Sequence, residues 1–207
     1  MPASSTKKKE TPRVFVFIDN SNVFKRIEEL NKTPPGLPQW PVWPKAYDPL
    51  FLARTLTGNN RKLVKTFFYC CPPPEDLKTR YDSEGRKIYW VQMSYYEAVK
   101  KLKDVEVKYA YLTGPRGDLH EKNLDTQLGS DMQGSAFKDE YDVAILVAGD
   151  GDYQSSVQAV KDIGKRVELA YFKGQARMSL VQLCDLSRRI RRSFIKKLEF
   201  SYNEEET

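Results

Sequence analysis

The sequence predicts an α/β domain with a largely parallel central sheet, and three observations carry that prediction. Short apolar runs alternate along the chain with segments whose apolar residues recur every three or four positions. The run "YDVAILVAGDGD" (141–152) is apolar without interruption, as expected of a parallel strand covered on both faces. Both this run and "RVFVFID" (13–19) end in aspartate, at the point where a strand must hand over to a helix.

The elements follow in order. "RVFVFID" is rich in β-formers and predicts the first strand. "NVFKRIEEL" (22–30) predicts a helix capped by Ser21 or Asn20. Residues 31–47 carry five prolines with Trp40 and Trp43, so they predict a long irregular loop. Its tryptophans could stack on bases or cover a hydrophobic edge. Asp48 opens a short helix, "PLFLARTLTG", that Gly58 stops. "KLVKTFFYC" predicts a strand broken by three prolines, and residues 88–103 hold Ile88, Val91, Tyr95, Val99 and Leu102 at helical spacing. "VEVKYAYL" (105–112) returns to strand. Leu124, Leu128 and Met132 mark a helix from about residue 124, in which Gly129 costs about 1 kcal/mol relative to alanine and suggests close packing on the sheet. After the second aspartate-tipped strand, Val157, Val160 and Ile163 predict a helix ended by Gly164, and "RVELAYF" (166–172) a further strand.

Beyond that point Leu183, Leu186, Ile190, Phe194 and Leu198 recur at helical spacing through "RRIRRSFIKK". This predicts an amphipathic helix bearing Arg188, Arg189, Arg191, Arg192, Lys196 and Lys197, either as a solvated basic face or as a grip on phosphates. The expected organisation is a flexible basic tail (1–11), one domain (12–187) and a basic helix with an acidic tail (188–207). The loop at 31–47 and the basic helix are the expected surfaces for a homodimer or a protein partner.

Composition bounds the function. The chain of 207 residues has a net charge of +6 from 34 basic and 28 acidic side chains, an excess that favours polyanions without demanding them. No apolar run is long enough to cross a bilayer, and the polar start "MPASSTKKKE" does not resemble a secretory signal, so a cytoplasmic location without membrane contact is expected. Three cysteines, two of them adjacent, suit neither a disulfide framework nor a zinc site and are expected as buried thiols.

In open parallel sheets, ligands bind beyond the carboxyl ends of the strands. Asp19 follows the first strand there, and Asp150 with Asp152 follows "VAILVAG", so two separate segments deliver carboxylates to one rim. Such groups repel one another unless a cation joins them, and all-oxygen ligation points to Mg²⁺ or Mn²⁺. Any one aspartate could instead simply cap the helix that follows it. Other site patterns fail on single residues. Val23 stands where a D-x-S-x-S site needs its second serine, and Ser21 where a haloacid-dehalogenase pattern needs aspartate. A calcium loop needs glycine where Phe24 stands, and no asparagine pair follows "GDG" as thiamine diphosphate binding would require. No phosphate-cradling glycine loop occurs, and His120 is the one histidine, a poor basis for histidine chemistry.

Three blocks, "FIDNSNVF" (17–24), "EKNLDTQLGSDM" (121–132) and "DVAILVAGDGDYQSSVQAVKDIGKRVELAYF" (142–172), resemble the signature blocks of the NYN-domain family, the LabA-like branch of the PIN-like nucleases. The similarity spans roughly residues 12–187, with "SLVQLCDLSRRI" similar to the family's closing helix. It implies a three-layer α/β/α sandwich and metal-dependent hydrolysis of RNA. By the same resemblance Asp19, Asp125, Asp150 and Asp152 would be the metal carboxylates and Asn22 the asparagine of D-x-x-N, with Asp131 a further acidic position on the same helix. Asn123, Ala148 and Tyr153 depart from the usual glycine, serine and phenylalanine. Six residues advance a helix by about 9 Å and turn it so that Asp125 and Asp131 lie roughly 120° apart. Asp131 is therefore expected in a supporting or structural role.

The expected reaction is in-line attack of an activated water on a phosphodiester, with Asp19, Asp125 and Asp150 holding one or two ions largely through water and Asp152 adding a fourth carboxylate. Asn22 would orient a water or a phosphate oxygen, and Lys25, Arg26 and Lys122 would hold flanking phosphates, as would Arg188, Arg189, Arg191 and Arg192. Two other functions remain in play: an RNA-binding module with little turnover, and a small-molecule phosphohydrolase. The second lacks a nucleotide-specific loop.

Overall fold

The computed structural model describes residues 10–31, 46–76, 83–113 and 120–191. Residues 1–9 of the expected basic tail, most of the Pro/Trp loop, and residues 192–207, with Arg192, Lys196, Lys197 and the expected acidic tail, lie outside these residues.

Six strands form one all-parallel sheet in the order β3-β2-β1-β6-β7-β8. They are β1 (Arg13–Asp19), β2 (Lys62–Cys70), β3 (Val105–Tyr109), β6 (Val143–Val147), β7 (Arg166–Phe172) and β8 (Leu186–Ile190). A separate antiparallel pair joins β4 (Tyr111–Thr113) to β5 (His120–Lys122). The helices are α1 (Asn20–Asn31), α2 (Pro49–Thr57), α3 (Ser83–Lys100), α4 (Leu124–Phe137), α5 (Gln154–Asp162) and α6 (Met178–Leu183).

The alternation within β1 builds the layers. Val14, Val16 and Ile18 pack with Val23 and Ile27 of α1, Leu52 and Leu56 of α2, and Tyr95, Tyr96 and Val99 of α3. Phe15 and Phe17 face the other way, onto Leu128 and Met132 of α4, Val157 and Val160 of α5, and Leu180 of α6. Each such large apolar side chain contributes about 1.5–3 kcal/mol by leaving water. The result is the three-layer α/β/α sandwich, with its sheet entirely parallel.

Strand order reverses between β1 and its neighbour β6, and Ile18 pairs with Val147 at the carboxyl end of both strands. Such a switch point opens a crevice, because the connections leave toward opposite sides. Asp19 lies one residue beyond that pair and Asp150 three residues beyond it.

Four local expectations are corrected. The first helix starts at Asn20, so its cap is Asp19, whose Oδ1 accepts the Asn22 N–H at 2.9 Å, and not Ser21 or Asn20. "VEVKYAYL" is not one strand, because it turns at Ala110 and its second half leaves the sheet for the β4–β5 pair. Gly129 is close-packed, but on α5: a Cβ there would lie 2.3 Å from Ser156 Oγ.

The fourth correction concerns the basic C-terminal helix. α6 ends at Leu183, and Leu186–Ile190, including Arg188 and Arg189, is an edge strand. β7 offered an unpaired backbone edge, and Asp185 secures the pairing: its carboxylate accepts the Val167 N–H at 2.8 Å while its own N–H donates to Val167 O at 2.8 Å. A ladder of backbone hydrogen bonds outweighed the helical spacing of Leu186 and Ile190.

Candidate functional site

The crevice is a cleft of about 510 Å³ lined by Asp19, Asn20, Ser21, Asn22, Phe24, Lys25, Cys71, Gln92, Tyr96, Asp125 and Asp150. Three aspartates from three segments therefore meet in one place. Asp19 is buried at 3% exposure, Asp150 is half-buried and Asp125 is exposed. Capping and cleft lining prove compatible: Asp150 Oδ1 accepts the Asp152 N–H at 3.2 Å, just as Asp19 caps α1. Asp125 sits in the first turn of α4, where the helix dipole favours a negative charge.

Tyr153 joins two of them. Its hydroxyl lies 2.9 Å from Asp19 Oδ2 and 2.5 Å from Asp125 Oδ1, so the two carboxylates stand within two hydrogen-bond lengths of each other. Burial, together with the Asp19 and Asp125 charges, pushes the Tyr153 hydroxyl far above its ordinary pKa. It is a neutral donor at any working pH.

Asn22 is committed to structure. Its Oδ1 accepts the Gly149 N–H at 3.0 Å and also the side-chain amide of Gln175, which donates again to Asn22 O at 2.9 Å. Gln175 Oε1 in turn accepts the Phe172 N–H at 3.2 Å. Asn22 thus ties the first turn of α1 to the turns after β6 and β7, which leaves its Nδ2 as the group able to face a ligand.

The remaining expected residues divide. Asp152 is exposed and does not line the cleft. Asp131 accepts the Tyr69 hydroxyl at 2.9 Å and lies 3.8 Å from Lys108 Nζ, away from the cleft lining. Lys25 lines the cleft, and Lys122 is exposed on β5 two residues before α4. Arg26 instead grips Glu29 at 2.6 Å and the Lys173 carbonyl at 2.5 Å.

Arg188 belongs to a different cleft, with Arg61, Arg166 and buried Glu168, lined by residues from the starts of β6, β7 and β8 and so at the end of the sheet opposite Asp19. It hydrogen-bonds Leu56 O at 3.1 Å and pairs with Glu168 at 3.5 Å. Arg189 is exposed on β8 and Arg191 follows that strand.

Several side chains of the site had little local signal. Tyr153 was visible only as a hydroxyl added where phenylalanine is usual. Gln175, and the wall made by Gln92 and Tyr96, carried no local pattern. In that wall Gln92 Nε2 donates to the Tyr96 hydroxyl at 2.7 Å, and Tyr96 donates to Cys71 O at 3.3 Å.

The three carboxylates facing the cleft offer hard oxygen ligands, which suit Mg²⁺ or Mn²⁺. Among the described residues no three His, Cys, Asp or Glu side chains converge closely enough to ligate one ion directly. An ion would therefore be held in part through water. Among the described residues, too, no helix is long and apolar enough to cross a membrane.

None of the curated proteins matches the chain significantly. Its structure resembles that of a protein of unknown function from Vibrio parahaemolyticus, with a TM-score of 0.59 and 16% identity, covering 91% of this chain and 98% of the other. At that identity the likeness speaks for the fold alone. The NYN domain model matches residues 13–190, the whole of the sheet from the first strand to the last, and the chain therefore belongs to the NYN domain family.

Proposed function

We propose that this protein is a metal-dependent ribonuclease that hydrolyses RNA phosphodiesters in the cleft at the ends of β1 and β6. The observation that carries this reading is the delivery of Asp19, Asp125 and Asp150 into one cleft by three separate segments of the chain. A protein that only bound RNA would gain nothing from three carboxylates set against a polyanion.

A bound Mg²⁺ or Mn²⁺ supplies charge neutralisation and lowers the pKa of its water. Asp125 and Asp150 are the accessible holders, and Asp19 is the buried anchor of the group. Tyr153 keeps Asp19 and Asp125 adjacent, and Asn22 keeps the Asp150 turn level with the end of β1. Lys25 holds a phosphate flanking the scissile one. Water adds to phosphorus in line with the leaving oxygen and releases a proton to solvent, the P–O bond to that oxygen breaks, and the leaving oxygen takes a proton from solvent. No bond between protein and substrate forms.

Lys122 and Tyr111 extend the substrate path. They face each other across the β4–β5 pair, Tyr111 is 52% exposed, and its hydroxyl is held by Asn123 Nδ2 at 3.0 Å, two residues from Asp125. An exposed ring beside a lysine suits single-stranded RNA, which offers a base face and a phosphate at each step.

The test compares cleavage of single-stranded RNA by wild type, Asp19→Asn and Asp150→Asn, with Mn²⁺ and with chelator. Wild-type cleavage that needs the ion and falls at least 100-fold in both variants supports the reading. Cleavage unchanged in either variant would falsify it. A binding module with little turnover is the second reading, favoured by the lack of a direct three-ligand cluster among the described residues. It predicts RNA retention by all three proteins with no ion-dependent cleavage in any.

A further inference from the structure

We propose that the Tyr153 hydroxyl is a built-in stand-in for a cation: it holds Asp19 and Asp125 together when no ion is bound, and thereby weakens the cleft's hold on a divalent ion. The inference rests on reading the cleft as a cation site.

The chemistry starts from a count of protons. A phenol has one, yet its oxygen lies within hydrogen-bond distance of both carboxylates, at 2.9 Å and 2.5 Å. Two carboxylates so placed repel each other, and the usual relief is a counterion. Here a neutral O–H supplies part of that relief from within the fold.

The hydroxyl cannot leave. The Tyr153 ring is 1% exposed and packs in the core beneath α4 and α5 with Leu124, Leu128 and Val157. Asp19 is equally fixed, since its Oδ1 caps α1. Asp125 is the exposed member and lines the cleft, so its carboxylate is the one free to shift toward an ion. An entering ion must therefore compete with the Tyr153 hydroxyl for Asp125. A charge-assisted bond surrendered on binding lowers affinity by about tenfold or more. Phenylalanine at this position would keep the ring packing and remove only that competition.

The experiment is Mn²⁺ titration by electron paramagnetic resonance, with thermal unfolding with and without Mn²⁺, on wild type and Tyr153→Phe. The variant is expected to melt lower without the ion, to gain more from Mn²⁺ than wild type does, and to bind Mn²⁺ about tenfold more tightly. A variant that folds only in Mn²⁺ also supports the proposal, because the ion then replaces the hydroxyl. Equal or weaker Mn²⁺ binding by the variant overturns it, as does a variant that folds in neither condition. If neither protein takes up Mn²⁺, the reading of the cleft as a cation site fails and carries this proposal with it. Equal uptake by both sinks the proposal alone.

Discussion

Asn22 Oδ1 accepts the backbone N–H of Gly149 at 3.0 Å, bridging 127 residues of sequence. The bond sets the turn that carries Asp150 against the end of β1 that carries Asp19, and Gln175 closes it from the side of β7. Position in this site is thus held by amides behind the carboxylates.

Removing that clamp should reduce turnover without removing a charge. Asn22→Ala leaves a buried backbone donor and the Gln175 amide short of an acceptor, at a cost of about 1–3 kcal/mol. Gln175→Ala should impair RNA cleavage in the same direction, and the double variant should cost less than the sum because both changes break one network. Steady-state cleavage with urea unfolding on the four proteins checks this; full additivity would show that the two residues act separately.

Two glycines should respond oppositely to alanine. A Cβ on Gly149 would sit 2.2 Å from Gln175 Cγ and 2.9 Å from its backbone carbonyl carbon, so Gly149→Ala should destabilise by about 1–3 kcal/mol and disturb the Asp150 turn. Gly134 lies within α4 with nothing within 4 Å of the added atom, and Gly134→Ala should stabilise by about 0.5–1 kcal/mol. Chemical denaturation of each variant decides both signs.

Acid sensitivity should trace to the start of β1. The Arg13 guanidinium, hydrogen-bonded to both Asp142 oxygens at 3.2 Å and 2.9 Å, holds the Asp142 carboxyl below the usual carboxylate range. A depressed folded-state pKa means stabilisation that is complete above the unfolded value of about 4 and is lost as pH falls through the folded value. Arg13→Ala should therefore flatten the fall in stability below about pH 4. Stability measured by urea titration from pH 2 to pH 7 tests it, and identical slopes for both proteins would refute it.

RNA affinity should separate stacking from charge. Tyr111→Ala should weaken single-stranded RNA binding by about 1–3 kcal/mol with the salt slope unchanged. Lys25→Ala and Lys122→Ala should each reduce that slope by about 0.7. Arg188→Ala, placed with Glu168 in the other cleft, should leave the slope near that of wild type. Fluorescence anisotropy across a salt series measures all four; a slope lost only in Arg188→Ala would move the RNA path to the far end of the sheet.

Much of this was legible in residue order. Strand and helix alternation follows from local periodicity, and an aspartate after a buried strand must emerge at the sheet's carboxyl rim, because a parallel strand has only one such end. Asp19 and Asp150 were therefore readable as residues of one rim, as was Asp152, which does not line the cleft, whereas Asp125 came only with the resemblance to the NYN family. The edge strand Leu186–Ile190 was not, because its apolar spacing also fits a helix and the choice depended on a free edge of β7 built by distant residues.

What the sequence determined by itself is the alternation of strands and helices around a parallel sheet and the rim that Asp19 and Asp150 share, since both depend on periods of two and 3.6 residues and on chain direction. Only the tertiary structure decided what each side chain does there. It placed the Tyr153 hydroxyl between two carboxylates, turned Asn22 inward to Gly149, and set Arg188 away from the cleft. Those outcomes depend on contacts between residues tens to more than a hundred positions apart, and such distances are settled by packing and not by local pattern.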